Sequence, residues 1–192
     1  MIPDYISYIT IPIGLIGIYL YIKEIILGKT RPNIVTWIFW SIAPLVGVFI
    51  NYKSGVSISL LASTFIAGFG PLLVVLFSIF NKNSYYIITK FDILCGILSV
   101  LSIILWITTK NVILSLSFAI FADFTAGLPT IIKSWTHSDT ESHAPYSIGI
   151  LNQIITFLVI TDFSYINTAF PIYFVIANGV IILGIYHKKL FK

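Results

Sequence analysis

The sequence is poor in charge. Asp, Glu, Lys and Arg make up 9% of its 192 residues, against roughly a quarter in soluble domains. One cysteine, Cys95, excludes an internal disulfide and any cysteine-built metal cluster. No G-x-x-x-x-G-K-[ST] phosphate loop occurs, which sets aside ATP binding by that device. No histidine falls in the interior of an apolar run, and no nucleophile–base or metal constellation shares a depth, which argues against an intramembrane enzyme. The last apolar run holds no lysine for a retinal Schiff base, so a light-driven pump is not expected either. The expectation is a protein that is not an enzyme and uses neither cofactor nor metal.

What fills the chain is apolar surface. Hydrophobic residues reach 58% and the mean hydropathy is +1.00, more than a soluble core of this size can bury. Seven apolar runs, 5–27, 33–51, 56–80, 91–108, 112–134, 145–162 and 167–187, approach the length that a hydrocarbon slab roughly 30 Å thick requires. They lack period-two alternation, so helices are expected rather than a barrel. The first run has no basic region before it and is too long for a signal-peptide core, so it reads as a retained span. The expected fold class is an all-α integral membrane protein of seven transmembrane helices, with no room for an appended soluble domain and with the bilayer as its partner.

Basic residues set the orientation. With the N-terminus outside, Lys23, Lys29, Arg31, Lys82, Lys90, Lys133, Lys188, Lys189 and Lys192 fall inside, and only Lys53 and Lys110 fall outside. That bias predicts a cytoplasmic C-terminus. The net charge of +4 is then accounted for by inner-face anchors, and nothing suggests nucleic acid.

A weak internal repeat follows from shifting the chain on itself by 110 positions. Gly17, Lys23 and Thr30 then fall on Gly127, Lys133 and Thr140. Both copies close a span at its inner end and precede a short polar turn. Two three-span units in the same orientation need one further span to reverse the chain, and the fourth run supplies it. The division is 1–81 for the first triple-helix repeat, 82–110 for a linker helix and 111–192 for the second repeat, a 3+1+3 arrangement.

The stretch "LPTIIKSWTHSDTES" concentrates the polarity of the second copy. Ser138, Asp139 and Thr140 are positioned to cap the next helix, and Glu141 is expected in its first turn. Lys133 and Trp135 suit the inner interface, while His137 and His143 offer a gate that changes charge near neutral pH.

These features resemble the SWEET sugar transporters and the wider PQ-loop superfamily of seven-helix transporters. The match rests on Pro129, Thr130, Lys133, Trp135, Thr140, Glu141 and Pro145, and on Asn178 in "FVIANGVIILGIYHKK". The resemblance implies that Asn178 contacts solute, with Thr64 or Ser63 in its place in the first repeat. It also implies hinges, for which Pro12 and Pro44 serve the first unit and Pro129 and Pro145 the second. Gly184 is one position from the usual spacing, and Tyr19 and Val35 stand where the second copy has Pro129 and Pro145. "VTWIFWSIAP" resembles a motif of the related bacterial nicotinamide riboside uptake family, although there the motif lies in the later half.

Other candidate site residues come from depth alone. Asp123 sits mid-span, where a carboxylate costs at least a few kcal/mol; it either serves coupling and substrate binding or ties helices together. Asn152, Gln153 and Asn178 lie at similar depth and either line one cavity or bond across helix crossings. Trp37 and Trp40 share a helix face, as belt residues or as a stacking platform. The resulting expectation is a transporter of a small neutral polar solute, a sugar or vitamin-like molecule, working by alternating access as a uniporter or with protons. A membrane receptor or scaffold of the same architecture is the alternative, although no Lys or Arg falls at mid-depth to hold a peptide carboxylate. A homo-oligomer is compatible with either. The isoleucine-rich, short-looped chain points to a bacterial cytoplasmic membrane.

Overall fold

Each apolar run becomes a helix. The computed structural model describes residues 9–53, 58–81 and 85–190, with the backbone alone at 50, 51 and 58–63. Lys82, Lys192 and the Ser63 side chain lie outside the described residues. The helices are α1 (Thr10–Ile26), α2 (Ile34–Lys53), α3 (Ile58–Phe80), α4 (Lys90–Thr108), α5 (Val112–Thr136), α6 (Ala144–Val159) and α7 (Tyr165–Leu190). A 3₁₀ turn, Ser138–Thr140, separates α5 from α6. No strand occurs among the described residues.

Three helices, α4, α5 and α7, are long and apolar enough to cross a bilayer. The other apolar stretches are shorter: Ile34–Phe49 and Thr64–Phe80 by their described side chains, and the sixteen residues of α6. At about 1.5 Å per residue, α6 falls short of a slab roughly 30 Å thick. On α4, Ile93 and Leu94 are 54% and 53% exposed, in a row with Ile97, Leu101 and Ile104, so one face of that helix carries apolar side chains that no protein covers.

Local chemistry sets the helix ends. Thr89 and Asp92 form a capping box on α4, with Thr89 N–H donating to Asp92 Oδ2 at 2.5 Å and Asp92 N–H to Thr89 Oγ1 at 3.3 Å. Asn111 caps α5 by accepting Leu114 N–H at 3.1 Å. α1 ends in a Schellman motif, with Gly28 at φ +69°, Gly28 N–H on Ile25 O and Lys29 N–H on Glu24 O, both 2.9 Å. Pro44, Pro71, Pro129 and Pro171 lie inside helices. Pro12 and Pro145 instead occupy first turns, where the N–H has no helical partner to lose. The loss of an internal hydrogen bond therefore applies to Pro44 and Pro129 among the expected hinges, and not to Pro12 or Pro145.

Three connections meet at one end. Arg31 N–H donates to Thr140 O at 2.9 Å, Tyr86 N–H to Pro32 O at 3.0 Å, and the Tyr86 and His137 rings meet edge-on at 5.3 Å. This end holds most of the basic residues and is called the basic end below. The extensive packing pairs are α1 with α3 and α6, α2 with α3, α4 and α5, α5 with α4 and α7, and α6 with α7. The buried apolar cluster combines Tyr21, Ile25, Trp37, Val74, Tyr146 and Ile181.

Close crossings fall at glycines. A Cβ on Gly184 would run into Ser134 Oγ and lie 2.6 Å from Trp135 Cδ1, so α7 rides directly on the end of α5. Gly184→Ala is expected to lower stability by about 1–3 kcal/mol through overpacking, read as an earlier thermal melt in detergent. An unchanged melt would mean that Trp135 swings aside without loss.

Candidate functional site

Two polar centres are built between the helices, one at mid-length and one at the basic end. At mid-length, Tyr173 Oη of α7 donates to Asp123 Oδ2 of α5 at 2.7 Å. Trp40 Nε1 of α2 donates to the Asp123 carbonyl at 3.3 Å. Asp123 has no ion-pair partner among the described residues. Its carboxylate therefore ties α5 to α7 while its backbone ties α5 to α2.

The basic-end centre is a buried ion pair. Lys133 Nζ lies 2.7 Å from Glu141 Oε2, with both side chains almost wholly buried, and it also donates to Thr140 O at 2.9 Å. Tyr21 Oη donates to Glu141 Oε1 at 2.6 Å and Tyr146 Oη to the same oxygen at 3.3 Å. The ammonium stands 5.9 Å from the Tyr86 ring centroid, within cation–π range. Charge burial of this kind is tolerated because every partner is a hydrogen bond as well. α1, α5 and α6 are thereby clamped together through one carboxylate.

This geometry corrects the capping expectation. Glu141 precedes α6 and is not in its first turn, and the N-cap residue His143 makes no side-chain cap. Ser142 Oγ accepts Ala144 N–H at 3.3 Å, while Thr140 Oγ1 donates back to His137 O. Lys133 is a buried partner, not a surface anchor. The three histidines each face an aromatic ring: His137 on Tyr86, His143 on Tyr186 and His187 on Trp135.

Aromatic contacts join the two centres. Tyr21 packs on Trp37 at 4.7 Å, and Trp37 meets Trp40 edge-on at 5.5 Å. Trp37 is 2% exposed and sits in the core rather than in a lipid-facing belt. Tyr21, Tyr146 and Tyr173 gave no signal of their own in the sequence, where they are three tyrosines among eleven.

The remaining candidates separate. Asn152 Nδ2 of α6 donates to Thr10 O of α1 at 3.4 Å, whereas Asn178 of α7 is buried against α6, where a Cβ on Gly149 would lie 2.8 Å from its Nδ2. Thr64 is half-buried in α3 and Gln153 in α6. Two open clefts lie elsewhere. One of about 290 Å³ at the far end is lined by Trp106, Lys110 and Ser115. One of about 210 Å³ at the basic end is lined by Tyr86, Asp92, Pro129 and Lys133. Neither includes Trp37, Trp40, Thr64, Asp123, Asn152, Gln153 or Asn178.

Among the described residues, five buried side-chain polar atoms have no hydrogen-bond partner: Asn33 Nδ2, Thr36 Oγ1, Trp37 Nε1, Thr130 Oγ1 and Asn152 Oδ1. Each such group costs about 1–3 kcal/mol when left unsatisfied in a protein interior. Their distribution is uneven: Asn33 immediately precedes α2, where its Oδ1 accepts the Thr36 N–H at 3.4 Å, Thr36 and Trp37 lie in the first turns of α2, Thr130 lies on α5, and Asn152 lies on α6. Compared with protein-family models, curated proteins and solved structures, the chain matches none of them.

Proposed function

We propose that the chain is a seven-span membrane transporter for a small neutral polar solute, working by alternating access between two three-helix repeats. The repeats are residues 1–81 and 111–192, with 82–110 as the linker. One observation carries this reading. Exchanging α1, α2 and α3 for α5, α6 and α7 returns the same packing pairs: α1–α3 and α2–α3 become α5–α7 and α6–α7, and α1–α6 becomes α5–α2. Such an exchange is what two equivalent units rocking about a shared axis require.

The repeated glycines support it. A Cβ on Gly17 of α1 would meet Ile148 of α6 at 3.2 Å, and one on Gly127 of α5 would meet Trp40 of α2 at 3.1 Å. Each glycine lets its helix approach the second helix of the opposite unit. α4 stands outside the exchange, against α5 and α2, with its uncovered apolar row turned to lipid. The shorter helices are accommodated by local thinning of the bilayer, and the basic end faces the cytoplasm.

The solute is neutral because, among the described residues, Asp123 is the one carboxylate at mid-length, Glu141 is paired with Lys133, Asp92 caps α4, and no buried cation is left unpaired. Purified protein should therefore be melted in detergent with mono- and disaccharides, nicotinamide riboside, thiamine and polar amino acids. A ligand at a hundred times its Kd stabilises the folded state by about 2.7 kcal/mol. The expected result is a raised melting point with one chemical class, reduced in Asn178→Ala. No shift with any compound would overturn the transporter reading in favour of a receptor or scaffold.

A further inference from the structure

The unpartnered polar atoms near the basic end fall on two facing helix surfaces. Asn33, Thr36, Trp37 and Trp40 recur at the spacing of one helix face. On α5, Asp123, Gly127 and Thr130 do the same. Trp40 bonds to the Asp123 carbonyl and covers Gly127, which fixes the register of the two helices. They run in opposite directions, so from Trp40 toward the basic end α2 presents Trp37, Thr36 and Asn33 while α5 presents Thr130. The four side chains are 0–2% exposed. Asn33 Nδ2 and Trp37 Nε1 are donors, and the two threonine hydroxyls both donate and accept. All four atoms lack partners. Just beyond them the Lys133–Glu141 pair, with Tyr21 and Tyr146, joins α1, α5 and α6.

Resting on the transporter reading, we propose that Asn33, Thr36, Trp37 and Thr130 form a donor-rich subsite on the inner half of the solute path, closed in this conformation by the Glu141 clamp. Its ligand is the hydroxyl or carbonyl face of a neutral solute, whose oxygens accept from Asn33 and Trp37 and exchange bonds with the threonines. Opening requires the Tyr21–Glu141 bond and the Arg31–Thr140 bond to part, because both cross between the units. The Lys133–Glu141 pair lies within the second unit and moves with it.

Thiol accessibility tests this without knowledge of the solute. Cys95 is the sole cysteine and is buried, so Cys95→Ser gives a silent background for Thr36→Cys and Thr130→Cys. A small water-soluble methanethiosulfonate reagent is applied to the protein in liposomes. Adding Tyr21→Phe, which removes one hydrogen bond to a charged group and keeps the ring, should speed labelling of both cysteines by about tenfold. Glu141→Gln should act in the same direction, and Tyr21→Phe keeps the test sound if that variant folds poorly. Equal labelling with and without the clamp would overturn the closed-path assignment.

The second arm replaces Thr36 and Thr130 by valine. Removing an unpartnered hydroxyl should leave the melting point level or higher while reducing uptake of the solute found by melting. Unchanged uptake would overturn the subsite. Labelling reads water access and melting reads solute binding, so failure of this subsite and failure of the transporter reading are separable.

Discussion

Replacing Lys133 by methionine will destabilise the folded protein by about 3–5 kcal/mol. The methionine fills much of the space of the lysine stem, so the loss is chiefly electrostatic. Glu141 would remain buried with its charge uncompensated, still accepting from Tyr21 and Tyr146 but without the ammonium 2.7 Å away. Adding Glu141→Gln should recover most of the loss, because the amide oxygen still accepts from the tyrosines and carries no charge. The coupling from the double-mutant cycle then reports the pair itself. Thermal unfolding of the single and double variants in detergent reads the loss and its recovery. Failure of the second substitution to rescue the first would assign the loss to packing, and the clamp would be a structural plug.

How far this centre was legible can be argued residue by residue. The helices follow from composition, because a long apolar run has few conformations that satisfy its backbone away from water. The shift of 110 positions placed Lys23 on Lys133, yet Lys23 is exposed and Lys133 is buried. The difference lies at the position eight further on, where Arg31 repels what Glu141 binds. Spacing along the sequence carries no sign of that burial, since the partner that completes it, Tyr21, is 120 positions away from Glu141. Asp123 was legible by its cost at mid-span, but Tyr173 was not, being one aromatic among many until α5 and α7 pack. The amides Asn152 and Asn178 share a depth, yet depth says nothing of azimuth. In the structure Asn152 of α6 turns to α1, and Asn178 of α7 packs against Gly149 of α6.

On the proton-coupled form of the proposed transport, as against the uniport form, Asp123→Asn is expected to abolish proton-driven accumulation of the solute while leaving the fold intact. The asparagine oxygen still accepts from Tyr173 Oη, now 2.7 Å from the carboxylate, and the Trp40 bond goes to the backbone carbonyl, which the substitution does not touch. Only the capacity to carry a proton is lost. With one proton moved per solute, each pH unit across the membrane drives about tenfold accumulation, since about 1.4 kcal/mol corresponds to a factor of ten. Proteoliposomes bearing an imposed pH gradient should therefore concentrate solute with the native chain and only equilibrate it with the variant. Asp123→Leu should go further and lower both uptake and melting point, because it leaves the half-buried Tyr173 hydroxyl without an acceptor at a cost of about 1–3 kcal/mol. Gradient-driven accumulation that persists in Asp123→Asn would remove this carboxylate from coupling. It would leave Asp123 as the tie between α5 and α7, a role that Asp123→Leu would still expose through its melt alone.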